Sequence, residues 1–405
     1  MRLSRPPSPP AAVAALVAAV FPFAFLGAMG CQRTKPDSVV KNTGPKLPDV
    51  AHMTVKPNEL GYIPVIMYHE IVPKTPARDP GKMSRSIKAF RGDLEALYAA
   101  GFRPVNLSDV VNDTIDIPAG TSPVVLTFDD GRESQFRLSE TANALKIDPN
   151  CAVGILQAFN KAHPDWPLRA TFFVLPKSSS TNDVFGQAGL GPQKLQYLLK
   201  EGMEIGNHSV HHKDMSRMTP DQIQAEIGGA HNALLADAPG AVLQVVALPM
   251  GKFPKNKADR KYLLAGTYQG KSYAYKAVMD ASYRAVPSPA ALKFDPARLE
   301  RIGARDDRWG VRWWINELTH SNAYPRYVSD GDPNVVSFPK EMEALANLPR
   351  LRAQQKIANA FGGAGGGSKP IVSAVGETGN GKGSGGAASV TERPASAASK
   401  PIIGG

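Results

Sequence analysis

The stretch PVVLTFDDG, Pro123 to Gly131, decides how the rest of this 405-residue chain is read. Its apolar part is a strand buried on both faces, as in a parallel sheet. It stops at two carboxylates and a glycine. Neighbouring side chains on a regular strand point to opposite faces. Asp129 and Asp130 therefore reach one site only if the chain turns there, which Gly131 permits. Two carboxylates this close repel, and a cation or a proton must offset the repulsion.

On either side the chain alternates. Residues 63–69 (IPVIMYH), 102–106, 169–175 (RATFFVL), 204–207 and 241–248 are strand candidates, with weaker ones near Ala274 and Leu299. Between them lie helical patterns. Ile87, Phe90, Leu94 and Leu97 recur at helical spacing, with Ser86 as cap and Gly101 as stop. Ser108 is placed to cap a short helix, residues 192–200 read as a helix, and Thr219 caps one from Pro220 to about Ala236. A further helix is expected around 257–264. Alternating apolar strands and helices make a parallel sheet covered by helices. About seven such units predict an α/β fold, a distorted (β/α) barrel in a single domain. In such barrels the chemistry sits at the C-terminal strand ends. Asp129, Asp130, His208 and His69 all fall there.

HSVHH, His208 to His212, is the second informative motif. A helical turn or a tight loop puts the rings of His208 and His212 on one side, as two imidazoles on one metal require; His211 is expected to be a spectator. One carboxylate and two imidazoles form a three-ligand set with an open position, the composition of a catalytic rather than a closed structural metal site. The remaining carboxylate is then free to act as a base.

On these motifs the chain resembles the polysaccharide deacetylase family (carbohydrate esterase family 4, the NodB homology domain). The RATFFVL segment is similar to that family's ATFF strand. The resemblance implies Asp129 as catalytic base, Asp130, His208 and His212 as metal ligands, and a divalent metal, zinc by preference, as cofactor. It implies removal of N-acetyl groups from an N-acetylhexosamine polysaccharide of a cell wall or exopolysaccharide. The family's R-x-P-Y-G motif is matched only in part by Ala247-Leu248-Pro249-Met250-Gly251. Pro249, Met250 and Gly251 are the expected groove wall, with the Met250 backbone N–H as oxyanion donor. Arg301 is a candidate to replace the missing arginine. PVIMYHE, Pro64 to Glu70, resembles the branch of poly-N-acetylglucosamine deacetylases whose acid histidine comes first. That assigns the general acid to His69 rather than to His320 in Leu318-Thr319-His320. O-deacetylation of a polysaccharide and non-catalytic glycan binding are the alternatives.

The ends read differently. Residues 1–31 combine Arg2 and Arg5, an apolar run and small residues before Cys31, an export signal with Cys31 as lipid anchor on the cell envelope. Residues 32–58 form a tether, 59–350 the catalytic domain. Residues 361–405 hold 13 glycines, 7 alanines and 6 serines, the composition of a disordered tail. The net charge of +11, from 47 basic and 36 acidic residues, is dispersed without a tight Lys/Arg cluster, so no nucleic-acid partner is expected. Two cysteines build no disulfide framework, and Cys151 is expected as a small buried apolar residue. Trp313 and Trp314 suit either sugar stacking or packing.

Overall fold

The structure is a computed structural model that describes residues 47–141, 144–176 and 183–362, with backbone alone at 369–371 and 402–403. The expected signal and anchor (1–31), the tether up to residue 46 and nearly all of the expected tail lie outside the described residues. Of the remaining tether, Val50 and Pro57 are buried, and Asn58 bridges Val328. No helix among the described residues is long and apolar enough to cross a membrane.

The barrel strands are β1 (Val65–Tyr68), β2 (Phe102–Val105), β3 (Ser122–Asp130), β4 (Thr171–Val174), β5 (Glu204–Asn207), β6 (Val245–Ala247), β7 (Ala277–Met279) and β8 (Ile302–Gly303). All pair in parallel, in the order β7-β6-β5-β4-β3-β1-β8. Strand β2 is off this path. It pairs with β3 at Ser122 to Val125, and β4 takes over the same edge from Thr127 to Asp130, which distorts the barrel. Leu299 bridges Met279 on β7, and Ile302 just beyond it pairs with Ile66 on β1. One segment thus touches both free edges of the sheet.

Strand alternation sorts the side chains. Leu126 and Phe128 of β3, Ile66 and Tyr68 of β1, and Ile205 of β5 pack outward against the helices. Val125, Val65, Phe173, Val245 and Ala247 pack together in the barrel interior. By the same two-residue period Thr127 and Asp129, Met67 and His69, and His208 continue the inward series. Gly206 belongs to it too. A Cβ there would lie 2.4 Å from the Phe173 ring, so the glycine is what admits that ring to the interior.

The covering helices are α1 (Ile87–Ala99), α2 (Leu107–Val111), α3 (Ala152–Ala162), α4 (Gly191–Lys200), α5 (Pro220–Asp237), α6 (Lys261–Leu264) and α7 (Val311–His320). Ser86 caps α1 by accepting from the Ala89 N–H at 3.1 Å, and Thr219 with Gln222 forms a capping box on α5. Helix α2 starts two residues earlier than a Ser108 cap implies: it follows Asn106, whose N–H donates to Asp109 within the first turn. Ala274 closes a hairpin with Ala265–Tyr268, and the barrel strand follows at β7. Helices α3 and α7 were not anticipated. Cys151 is buried and also caps α3, its sulfur 3.5 Å from the Gly154 N–H. Past the barrel, Val335–Pro339 pairs in parallel with Ile357–Phe361. Phe338, Leu351 and Ala360 pack there against Leu60, so ordered structure continues beyond residue 350.

Candidate metal centre and reaction cleft

At the C-terminal end of β3 the backbone resolves the problem posed by two adjacent aspartates. Asp129 keeps strand geometry and points into the barrel. Asp130 adopts a left-handed φ of 77° and Gly131 one of 63°, which swings the Asp130 carboxylate to the same end. A left-handed non-glycine residue costs about 1–3 kcal/mol and persists where its surroundings over-determine it. Asp130 is held by Arg132, whose Nε and Nη2 both donate to Oδ2 at 3.1 Å.

The His208–His212 segment is a tight loop, not a helical turn. Ser209 and His212 have φ of 70° and 54°, and Asn207 Oδ1 accepts from the Ser209 N–H at 2.7 Å. The loop sets the two rings 5.0 Å apart. His208 Nε2 and His212 Nε2 lie 3.3 and 3.4 Å from Asp130 Oδ1. His208 Nδ1 is 2.9 Å from the Ala247 carbonyl oxygen. A carbonyl only accepts, so Nδ1 carries a proton, and in the neutral ring Nε2 then presents the lone pair. His211 points elsewhere, to Glu226 Oε1 at 2.9 Å.

One ligand atom from each of Asp130, His208 and His212 lies within 4.8 Å of the others, the one such cluster among the described residues. Asp130 Oδ1 and His208 Nε2 are buried and make no hydrogen bond. Two orphaned buried donor-set atoms aimed at one another's space are what a divalent cation would satisfy. The residues present fit the metal.

Asp129 is not part of that cluster and has a partner of its own. Arg301, fully buried, donates from Nη1 and Nη2 to the two Asp129 oxygens at 2.6 and 2.8 Å. Its Nε donates to the Asp280 carbonyl at 2.9 Å, and its guanidinium covers the Phe173 ring. Burial opposes ionisation of Asp129, but Arg301, with His208 and His69, holds its carboxyl below the usual carboxylate range. Asp130 is likewise driven well below that range, His208 and His69 overcoming its burial. Burial alone would lower His208, yet Asp129 and Asp130 hold it above the ordinary imidazole value. Burial dominates at His69 and His212 and lowers both.

His69 Nε2 stands 3.9 Å from Asp129 Oδ2 and lines the same cleft of about 250 Å³ as Asp129, His208, His212 and Met250. His320 is elsewhere: it is at the end of α7, beside Thr319 and the Asn316 carbonyl of its own helix. Met250 has a φ of 55° and a half-exposed side chain at the rim; Pro249 behind it is buried. Gly251, with φ 62°, approaches Ala281 so closely that a Cβ would meet its nitrogen at 2.9 Å. Gln135 was missed by sequence reasoning. Its buried amide donates to the carbonyls of both His69 and Asp129, tying the ends of two neighbouring strands together. No spacing signals that role, because it is a contact to backbone.

The barrel thus carries a one-carboxylate, two-imidazole cluster that could hold a metal ion, with a separately tethered second carboxylate beside it. Residues 116–265 match the family model described as polysaccharide deacetylase. The matched stretch includes Asp129, Asp130, His208 and His212; His69 and Arg301 come from outside it. The chain is 26% identical over 133 residues to a chitooligosaccharide deacetylase of Bradyrhizobium sp. (strain ANU 289), covering 33% of this chain and 48% of that protein. It thus spans about half the length of that curated relative. Among solved structures, Streptococcus pyogenes deacetylase PplD in complex with acetate is similar at a TM-score of 0.46 and 18% identity, over 63% of this chain and 97% of that one. IcaB from Ammonifex degensii is similar at 0.43 and 18%, over 64% and 97%.

Proposed function

We propose that this protein hydrolyses the acetamide of N-acetylhexosamine units in a polysaccharide of the cell wall or an exopolysaccharide, releasing acetate and a free amine. The observation that carries this reading is the division of labour between the two aspartates. Asp130 shares orphaned donor atoms with His208, while Asp129 is paired with Arg301. Asp130, His208 and His212 would hold a divalent cation, zinc by donor type; when bound it supplies Lewis acidity toward water and a carbonyl oxygen. Asp129, kept anionic by Arg301, takes the proton of the attacking water. The Met250 backbone N–H faces the developing oxyanion, a contact typically worth about 2.7–4 kcal/mol. An amide nitrogen is too basic to leave unprotonated, and His69 in its imidazolium form delivers the proton, ending as the neutral imidazole while Asp129 holds the proton taken from water. Gln135 keeps the backbones that carry His69 and Asp129 in register.

The direct test is acetate release from chitooligosaccharides, β-1,6-linked N-acetylglucosamine oligomers and peptidoglycan, with and without chelator. Release from at least one glycan, lost with chelator and restored by zinc, is expected; glycan binding by metal-replete protein without any acetate release would defeat the reading. Within it, His69→Ala should lower turnover by about 10²–10⁴-fold, and His320→Ala should leave it intact. The reverse pattern would transfer the acid role. We also propose export and lipid anchoring at Cys31. A Cys31→Ala chain that still partitions with membranes would contradict the anchor.

A further inference from the structure

Beside the reaction cleft lies a larger cavity of about 820 Å³ that the proposed chemistry does not use. Tyr283 lines both cavities and forms their common wall. That wall is built rather than incidental. The Trp314 indole N–H donates to the Tyr283 carbonyl at 3.0 Å, with Trp314 itself buried, and the Arg305 guanidinium stacks 4.2 Å over the half-exposed Tyr283 ring. Across the cavity Tyr324 packs edge-on between Tyr62 at 5.4 Å and Trp314 at 5.0 Å. Trp309 completes the lining from a left-handed φ of 70°, braced by Trp313 at 4.2 Å. Strain of this kind is retained where a side chain must be presented in one direction.

Four aromatic faces around an open, partly polar cavity suit rings that carry both C–H faces and hydroxyls. The charges bear on which sugars. Arg284, Lys293 and Arg298 line the cavity together with Asp295 and Glu300, and Arg298 is already tied to Asp280 at 2.8 Å. Both signs are present, so the cavity is a hydrogen-bonding surface and not a trap for a polyanion.

We propose that this cavity is an accessory sugar-binding site, which takes the uncharged N-acetylhexosamine or hexosamine units flanking the one being deacetylated. The site deepens the deacetylase reading and rests on it. It makes the enzyme select long chains over short ones, with Trp309 and Tyr283 as the stacking platforms.

The test compares chitobiose with chitopentaose. Trp309→Ala should reduce the ratio of kcat/KM for pentamer over dimer by about tenfold, the usual size of losing one aromatic anchor. Trp309→Phe should recover most of the ratio, and Arg284→Ala should lower it less. Calorimetric titration of Asp129→Asn protein with chitopentaose reads the same site without turnover. Its affinity should exceed that for chitobiose and fall about tenfold when Trp309→Ala is added. Equal losses for dimer and pentamer, affinity independent of Trp309, or tighter binding of polygalacturonate than of chitopentaose would each overturn the proposal. If wild-type protein releases no acetate but the titration behaves as stated, the deacetylase reading fails and the sugar site stands.

Discussion

Asp129→Asn is expected to lower acetate release by about 10²–10⁴-fold while the protein still binds its metal. The substitution keeps the shape of the side chain and removes its basicity. In this barrel Asp129 is the inward residue of β3, outside the Asp130–His208–His212 set and in a bidentate bond with Arg301. A ligand role would predict loss of metal with loss of rate; a base role predicts loss of rate alone. Metal content by elemental analysis beside acetate release separates the two. Undiminished release would remove Asp129 from the mechanism.

Arg301→Met should act on stability and on pH together. Truncating one partner of a buried ion pair leaves the other charge uncompensated, at a cost of about 3–5 kcal/mol. Arg301 and Asp129 are both buried, and Arg301 is the leading group that offsets burial of the Asp129 carboxyl. Without it, burial acts unopposed by that cation and the Asp129 pKa rises. The base then becomes protonated at higher pH, so the acidic limb of kcat/KM moves upward. Denaturant unfolding and a pH–rate profile read the two effects. Adding Asp129→Asn to Arg301→Met should return part of the lost stability, because the orphaned charge is gone. A pH limb that stays in place would show that Arg301 does not set the ionisation of Asp129.

Much of this arrangement was legible in the sequence because it is carried by strand period and by local spacing. PVVLTF announced a strand buried on both faces, and its end marked the reaction end of the barrel. The two-residue period alone puts Thr127 and Asp129 inside with Val125. Asp130 escaped that rule through backbone conformation, for which Gly131 gave the hint. The spacing of His208 and His212 signalled proximity but not its means, since a loop with two left-handed residues does the work of a helical turn. Arg301 shows the limit of motif reading. The arginine expected near Pro249 is supplied from β8's threshold, and only the closure of the barrel through Leu299 and Ile302 makes that substitution possible. Helix α3 was hidden because its first turn is capped by Cys151, a residue whose sequence signature is burial rather than capping. Gln135 and Trp309 act through backbone contacts and a strained turn, and neither leaves a periodic trace.

The central claim is that one divalent cation is held by Asp130, His208 and His212, with Asp129 outside its ligand set. Zinc titration of metal-stripped protein, followed by calorimetry for wild type, Asp130→Ala and Asp129→Asn, addresses it most directly. The structure predicts one site per chain in wild type, retained in Asp129→Asn and lost in Asp130→Ala. Tight zinc binding that survives Asp130→Ala, or that disappears in Asp129→Asn, would contradict the account.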